Sequence, residues 1–395
     1  MHKYCSINVG KYIGIIGVFY YFYAAVIFTI PGVGEFFNLS SIPIVNGALV
    51  LFMYLVINNL SRGTIGIVDL VYIKGIILIF ILKPLADGLT NVAVALLIQA
   101  LTLIILIRLN IKKKDLVLGS SKYYWLGTVL LLFFIFPLFV AILYIGPANY
   151  IGFWRTDFRL IAGLIDANFF ASLFFPSILI FYLNKSQANH YLIIILIAFV
   201  FLLTFSRGFL LGALTVVVAC YLAETVKKTF IIKISFIALM MVLIFSPFII
   251  LWFHDVFPDI FSVLTSEYRY SSDVGRNVSI IIAVNHILDG KLILGGVMPE
   301  DIGIKKPHHW FWQLALTNGI ITAMLFCLIF GHLFLKLPVV IGANLFGLIV
   351  FASFLDFAII TRILFMWSAL ILILGGFKYE PQHVLTKHET LRRGV

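Results

Sequence analysis

Apolar runs, each close to the length of a bilayer crossing, follow one another along the chain with short polar breaks between them. A helix rises about 1.5 Å per residue, so roughly 20 apolar residues cross the roughly 30 Å hydrocarbon layer. The pattern predicts spans at roughly 12–30, 41–58, 64–82, 89–108, 123–145, 165–183, 190–205, 208–224, 229–252, 308–333, 338–355 and 360–377. The fold class expected is therefore an all-α polytopic membrane protein with about twelve transmembrane helices. One interruption, 253–307, is too long for a simple connection. Inside it, Asp273 to Leu288 places Arg276, Ile280 and Val284 on one helical face, at i, i+4 and i+8, with Gly290 as a stop. That spacing predicts a short amphipathic helix on the outer membrane surface. The first run follows Lys3 and Lys11, is too long for a signal peptide and lacks a small-x-small cleavage site, so it reads as a retained span. No repeat or linker divides the chain, which predicts a single integral membrane domain, 1–395.

Composition sharpens this picture. The chain is 62% hydrophobic and 11% charged, with a mean hydropathy of +1.11. A soluble domain carries about a quarter charged residues, so an ordinary soluble fold is excluded. The net charge of +11 is unevenly distributed, with lysine and arginine clustered at 108–114 and 227–233. The positive-inside rule makes those segments and both termini cytoplasmic. The charge is thus a topology signal, and nucleic acid is not implied as a partner. Cys5, Cys220 and Cys327 fall within spans or on the cytoplasmic side, which suggests neither a disulfide nor a thiolate metal site.

The remaining polar residues gather on the predicted outer side, in three stretches. In "LLTFSRGFLLGAL", Leu202–Leu214, two apolar runs meet at Ser206-Arg207-Gly208. Ser206 is a natural N-cap, and Arg207 opens the next helix against its macrodipole, a cost of about 0.3–1 kcal/mol. An anion between guanidinium and helix amides would offset that cost; a snorkelling arginine is the plainer alternative. In "SSDVGRNVSIIIAVNHILDGKLILGGV", Ser271–Val297, Asp273 or Ser272 can cap a helix with Arg276 in its first turn. Gly295-Gly296 then permits a sharp return. Arg276 is a second anion candidate, or a solvated charge paired with Asp273. In "IKKPHHWFWQLALTNGIITAMLF", Ile304–Phe326, Pro307 suits a first helical turn. His308 and His309 would start a helix entering the membrane, facing arginines that favour a neutral ring able to take a proton; a satisfied interfacial histidine is the plainer alternative. Their partners one turn on, Trp312 and Gln313, are poor metal ligands, so no metal is expected. The stripe Trp310–Trp312 reads as an interfacial belt.

These stretches resemble the O-antigen polymerase and O-antigen ligase family of bacterial envelope glycosyltransferases, over about Ile165 to Leu374. "FSRGFLLG" looks like the family's Ser-Arg-Gly segment, and "GRNVSIIIAVNHILDGKLILGGV" like its outer-loop arginine, apolar helix and glycine turn. "PHHWFWQLALTNGIITAML" is similar to its Pro-His-Asn segment, with His308 on the essential histidine and Gly319 at the matching spacing. The family usually has Asn where this chain has His309. "FLDFAIITRILFMW" resembles the Asp and Arg of some ligases.

The resemblance implies a metal-independent, inverting glycosyltransferase without a cofactor in the bacterial inner membrane, its active site facing the periplasm and partly carried by loop 253–307. The donor would be an undecaprenyl-pyrophosphate-linked oligosaccharide. His308 would act as base and Arg207 and Arg276 as pyrophosphate clamp; Arg155, Arg159, His309 and Arg362 are further substrate-binding candidates. Flippase and chain-length regulator proteins are implied partners alongside membrane lipid. The favoured activity is polymerase, extending a lipid-linked repeat unit. The alternatives are a ligase acting on lipid A-core and, from a different class, a lipid-linked oligosaccharide flippase. A transporter commonly shows repeat symmetry and ionisable residues at mid-membrane, whereas here only Asp69 and Lys74 lie well inside a span.

Overall fold

The computed structural model describes residues 187–204, 206–226, 229–256, 278–288 and 309–353, with single positions at 100, 103, 107, 171, 174, 175, 178, 179, 295, 297, 302, 303, 364, 367 and 371. The described part is all-helical, with seven helices. They are α1 (Gln187–Thr204), α2 (Arg207–Thr225), α3 (Thr229–Val256), α4 (278–288), α5 (Trp310–Asn318), α6 (Ile320–Lys336) and α7 (Val339–Ala352). The spans expected between 12 and 183 and at 360–377, including Asp69 and Lys74, fall largely outside these residues.

Two of the helices, Arg207–Thr225 and Thr229–Ile250, are long and apolar enough to cross a membrane. Their outward faces are as greasy as their inward ones. Leu211, Val218, Phe230, Val242 and Trp252 are all exposed. A water-facing surface of that kind would be a liability, whereas lipid tails accept it without cost.

The core lies between α2, α3, α6 and α7. The α2–α7 crossing has no side chain at its centre. A Cβ on Gly212 would collide with the Gly347 carbonyl and lie 2.9 Å from Phe175 Cζ; a Cβ on Gly347 would lie 2.5 Å from the Gly212 carbonyl and from Val216 Cγ2. Backbones this close gain dispersion contacts along both helices, which is how helices associate where apolar burial itself offers little. Phe175 closes the crossing, edge-on to Phe209 at 5.6 Å and tilted against Phe351 at 5.7 Å. Deeper along α7, Asn344 is fully buried and satisfied. It donates to the Phe175 carbonyl at 3.0 Å and accepts from Trp367 Nε1 at 3.0 Å, tying α7 to the segments on both sides.

The span expected at 308–333 is not one continuous helix. It breaks at Gly319, whose φ of 92° and ψ of 152° lie in a region nearly exclusive to glycine. The chain reverses there. Trp310 and Phe330 lie at similar distances along the chain on either side of Gly319, yet their rings are 5.5 Å apart. The helices α5 and α6 are thus the arms of a helical hairpin. Gly295, itself at φ 77°, packs its backbone against Asn318 and Gly319, so the expected glycine return abuts the elbow. The expected amphipathic helix is present over 278–288, burying Ser279, Ile280 and Ala283; Ala283 meets Leu316 of α5.

Candidate functional site

The Ser206-Arg207-Gly208 turn forms as the sequence suggests. Ser206 is extended and buried, and its hydroxyl accepts from the Phe209 amide at 3.3 Å. Arg207 is the first residue of α2 and is exposed. The buried Gly208 and Phe209 seat the start of the helix against the core. Arg207 therefore presents an exposed side chain at the N-terminal end of α2, beside the Ser206 cap.

His309 differs from expectation in both position and setting. It precedes α5 as its N-cap residue, with φ −152° and ψ 119°, and does not lie in the helix. This extended backbone carries the ring sideways to α3, where Nε2 meets the Leu243 carbonyl at 3.0 Å. The sequence of α3 explains why that carbonyl is available. Pro247, inside α3, has no N–H and so cannot bond the carbonyl four residues back, which is that of Leu243. Ser246 Oγ donates to the same oxygen at 2.7 Å. The neighbouring Ile244 carbonyl accepts from Trp312 Nε1 at 2.9 Å, and Phe248 packs edge-on to the Trp312 ring at 5.6 Å. The proline break in one helix is thus capped by the first turn of another.

The aromatic stripe is not an interfacial belt. Trp310, Phe311 and Trp312 are 1%, 6% and 8% exposed, because the hairpin draws α5 into the bundle. Sequence reasoning missed this burial, and it missed Asn344 and the α3–α5 clasp. The signals were Pro247 and Gly319, two helix breakers inside apolar runs.

A carbonyl can only accept, so His309 carries its proton on Nε2 and leaves Nδ1 as a bare acceptor. Nδ1 and the donor Trp310 Nε1 are buried without a hydrogen-bond partner among the described residues. His309 is therefore fixed in orientation, with one polar edge committed to α3 and the other open.

Of the candidate residues, the structure describes Arg207 and His309. They occupy different settings, one exposed at the start of α2 and the other buried at the start of α5. His308, Arg276, Arg155, Arg159 and Arg362 lie outside the described residues. Among the described residues, no group of His, Cys, Asp and Glu could hold a metal ion. Comparison with protein-family models, curated proteins and solved structures gave no match.

Proposed function

We propose that this protein is a membrane glycosyltransferase that lengthens a lipid-linked surface polysaccharide, moving glycan from an undecaprenyl-pyrophosphate donor to a lipid-linked repeat unit. The observation that carries the reading is Arg207, exposed at the first position of a Ser206-capped apolar helix. A guanidinium beside the N-terminal amides of a helix suits an anion shared between the two. A pyrophosphate head on a polyprenyl tail suits the place, because the tail can remain against the apolar outward faces of α2 and α3.

In the proposed reaction an acceptor hydroxyl oxygen attacks the anomeric carbon of the donor. The bond from that carbon to the pyrophosphate oxygen breaks, and the lipid pyrophosphate leaves with the bonding pair. His308 takes the hydroxyl proton, as in the family this chain resembles. Arg207, with Arg276, neutralises the charge that develops on the leaving group. Fixed cations placed where that charge develops lower such a barrier. Arg155, Arg159 and Arg362 are proposed to bind the glycan or its phosphates.

The test is the surface glycan of a strain lacking the protein. Single capped repeat units are expected; long chains not attached to lipid A-core would replace polymerase with ligase, and an unchanged profile would reject both. Complementation with Arg207→Lys should restore little chain growth, because an ammonium lacks the two-pronged phosphate geometry. Full restoration would leave Arg207 as a membrane anchor.

A further inference from the structure

We propose that α5 is a gate, a short helix that undocks from α3 by pivoting at Gly319. Its docked position is held by bonds that α3 can do without. The Leu243 carbonyl, which meets His309 Nε2 at 3.0 Å, also accepts from Ser246 Oγ at 2.7 Å. The Ile244 carbonyl, which accepts from Trp312 Nε1 at 2.9 Å, lies inside α3 and also faces the Phe248 amide four residues on. Undocking therefore strands no carbonyl on α3, a condition that matters in hydrocarbon. On the α5 side the docked state is incomplete. His309 Nδ1 and Trp310 Nε1 are each buried without a hydrogen-bond partner among the described residues. Each atom, taken separately, gives up water on docking and receives no bond in return, which opposes the docked state.

The pivot is equally independent of α3. Gly319, at φ 92°, has no side chain to resist rotation of the backbone. The Asn318 carbonyl is held across the elbow by Thr322 Oγ1 at 2.6 Å, a bond that does not involve the clasp. Beyond the elbow, α6 is anchored at its far end. Phe334 lies 5.6 Å from Phe236 of α3, and Lys233 Nζ donates to the Leu335 carbonyl at 2.8 Å. The nine-residue α5 can thus turn while α6 stays in place. What α5 gives up is the packing of Trp310, Phe311 and Trp312, and the bilayer offsets that loss. Lipid tails receive aromatic rings much as the core does, and an indole N–H finds acceptors at the headgroup level. That the opening admits a lipid-linked sugar donor rests on the function proposed above; the movement itself does not.

The test uses the full-length chain in lipid nanodiscs, with Cys5, Cys220 and Cys327 replaced by alanine and one cysteine introduced at a time. Ala315→Cys and Leu316→Cys report on α5, and Ala343→Cys on α7 is the control; all three positions are fully buried. The probe is a charged, membrane-impermeant methanethiosulfonate. Both α5 positions should label slowly while position 343 stays unlabelled, which separates local opening from global unfolding. Trp312→Phe keeps a ring against Phe248 but loses the indole bond, so labelling of α5 should quicken roughly fivefold. Ser246→Ala should act with the opposite sign. It leaves the Leu243 carbonyl dependent on His309, so α5 stays docked longer and labels more slowly. No labelling on α5, or equal labelling of α5 and α7, overturns the proposal. So does labelling unchanged by Trp312→Phe, or not slowed by Ser246→Ala. Two α5 positions are read so that one poorly folding variant does not remove the test. Thiol labelling is blind to glycan growth, so the two readings can fail separately.

Discussion

The α2–α7 crossing and the α3–α5 clasp join helices in opposite ways. The first works by leaving side chains out. Gly212 and Gly347 bring two backbones together until nothing else fits. The second works by inserting polar side chains, His309 and Trp312, onto carbonyls of a helix interrupted by proline. The glycine crossing admits no side chain without cost, because any Cβ meets backbone that cannot step aside. The polar clasp is graded, because each hydrogen bond can be lost separately and a neighbour such as Ser246 retains part of the work.

The largest effect should come from the crossing. Gly212→Leu is expected to abolish folded protein, read as loss of the monodisperse peak in detergent. Gly212→Ala should cost about 1–3 kcal/mol from overpacking; an unchanged unfolding midpoint would mean the helices are not in contact. Next comes Gly319→Ala, which forces a side chain into backbone space reserved for glycine, for about 1–3 kcal/mol. His309→Ala should follow at about 1–2 kcal/mol, a single hydrogen bond to a carbonyl that keeps Ser246.

The sharpest comparison is a cycle. Pro247→Ala returns an amide to the Leu243 carbonyl, so His309→Ala should cost less in that background than in the wild type. Equal costs would show that the proline does not create the need for the histidine. The smallest effect is expected for Arg207→Lys on stability. The residue is exposed, and the unfolding midpoint should barely move even where glycan growth is lost.

The legible parts of this fold were local. The turn at Ser206-Arg207-Gly208 carries its own signals, a capping hydroxyl and a glycine between two apolar runs. The helices α2, α3 and α7 follow from hydropathy alone, and the described α4, 278–288, lies within the 273–288 stretch that its spacing predicts. The hairpin was not legible as a reversal, since apolar residues continue without pause through Gly319 and a break looks the same as a crossing in composition. The clasp joins residues 66 and 68 positions apart, and no local period connects them. Arg207 was legible as a candidate from its place at a helix start. His309 was legible only as a polar residue out of place, because its role depends on a carbonyl freed by a proline on another element.

Pro247 also has a temporal consequence. Synthesis delivers α3 well before its histidine, which lies 66 positions downstream of the Leu243 carbonyl. Until then that oxygen has only the Ser246 hydroxyl, in surroundings where a polar atom has few substitutes. Assembly of the two halves of the clasp therefore belongs late in biogenesis, after the ribosome has passed His309. A nascent chain arrested before that residue should hold α3 in a looser state, one a protease can find.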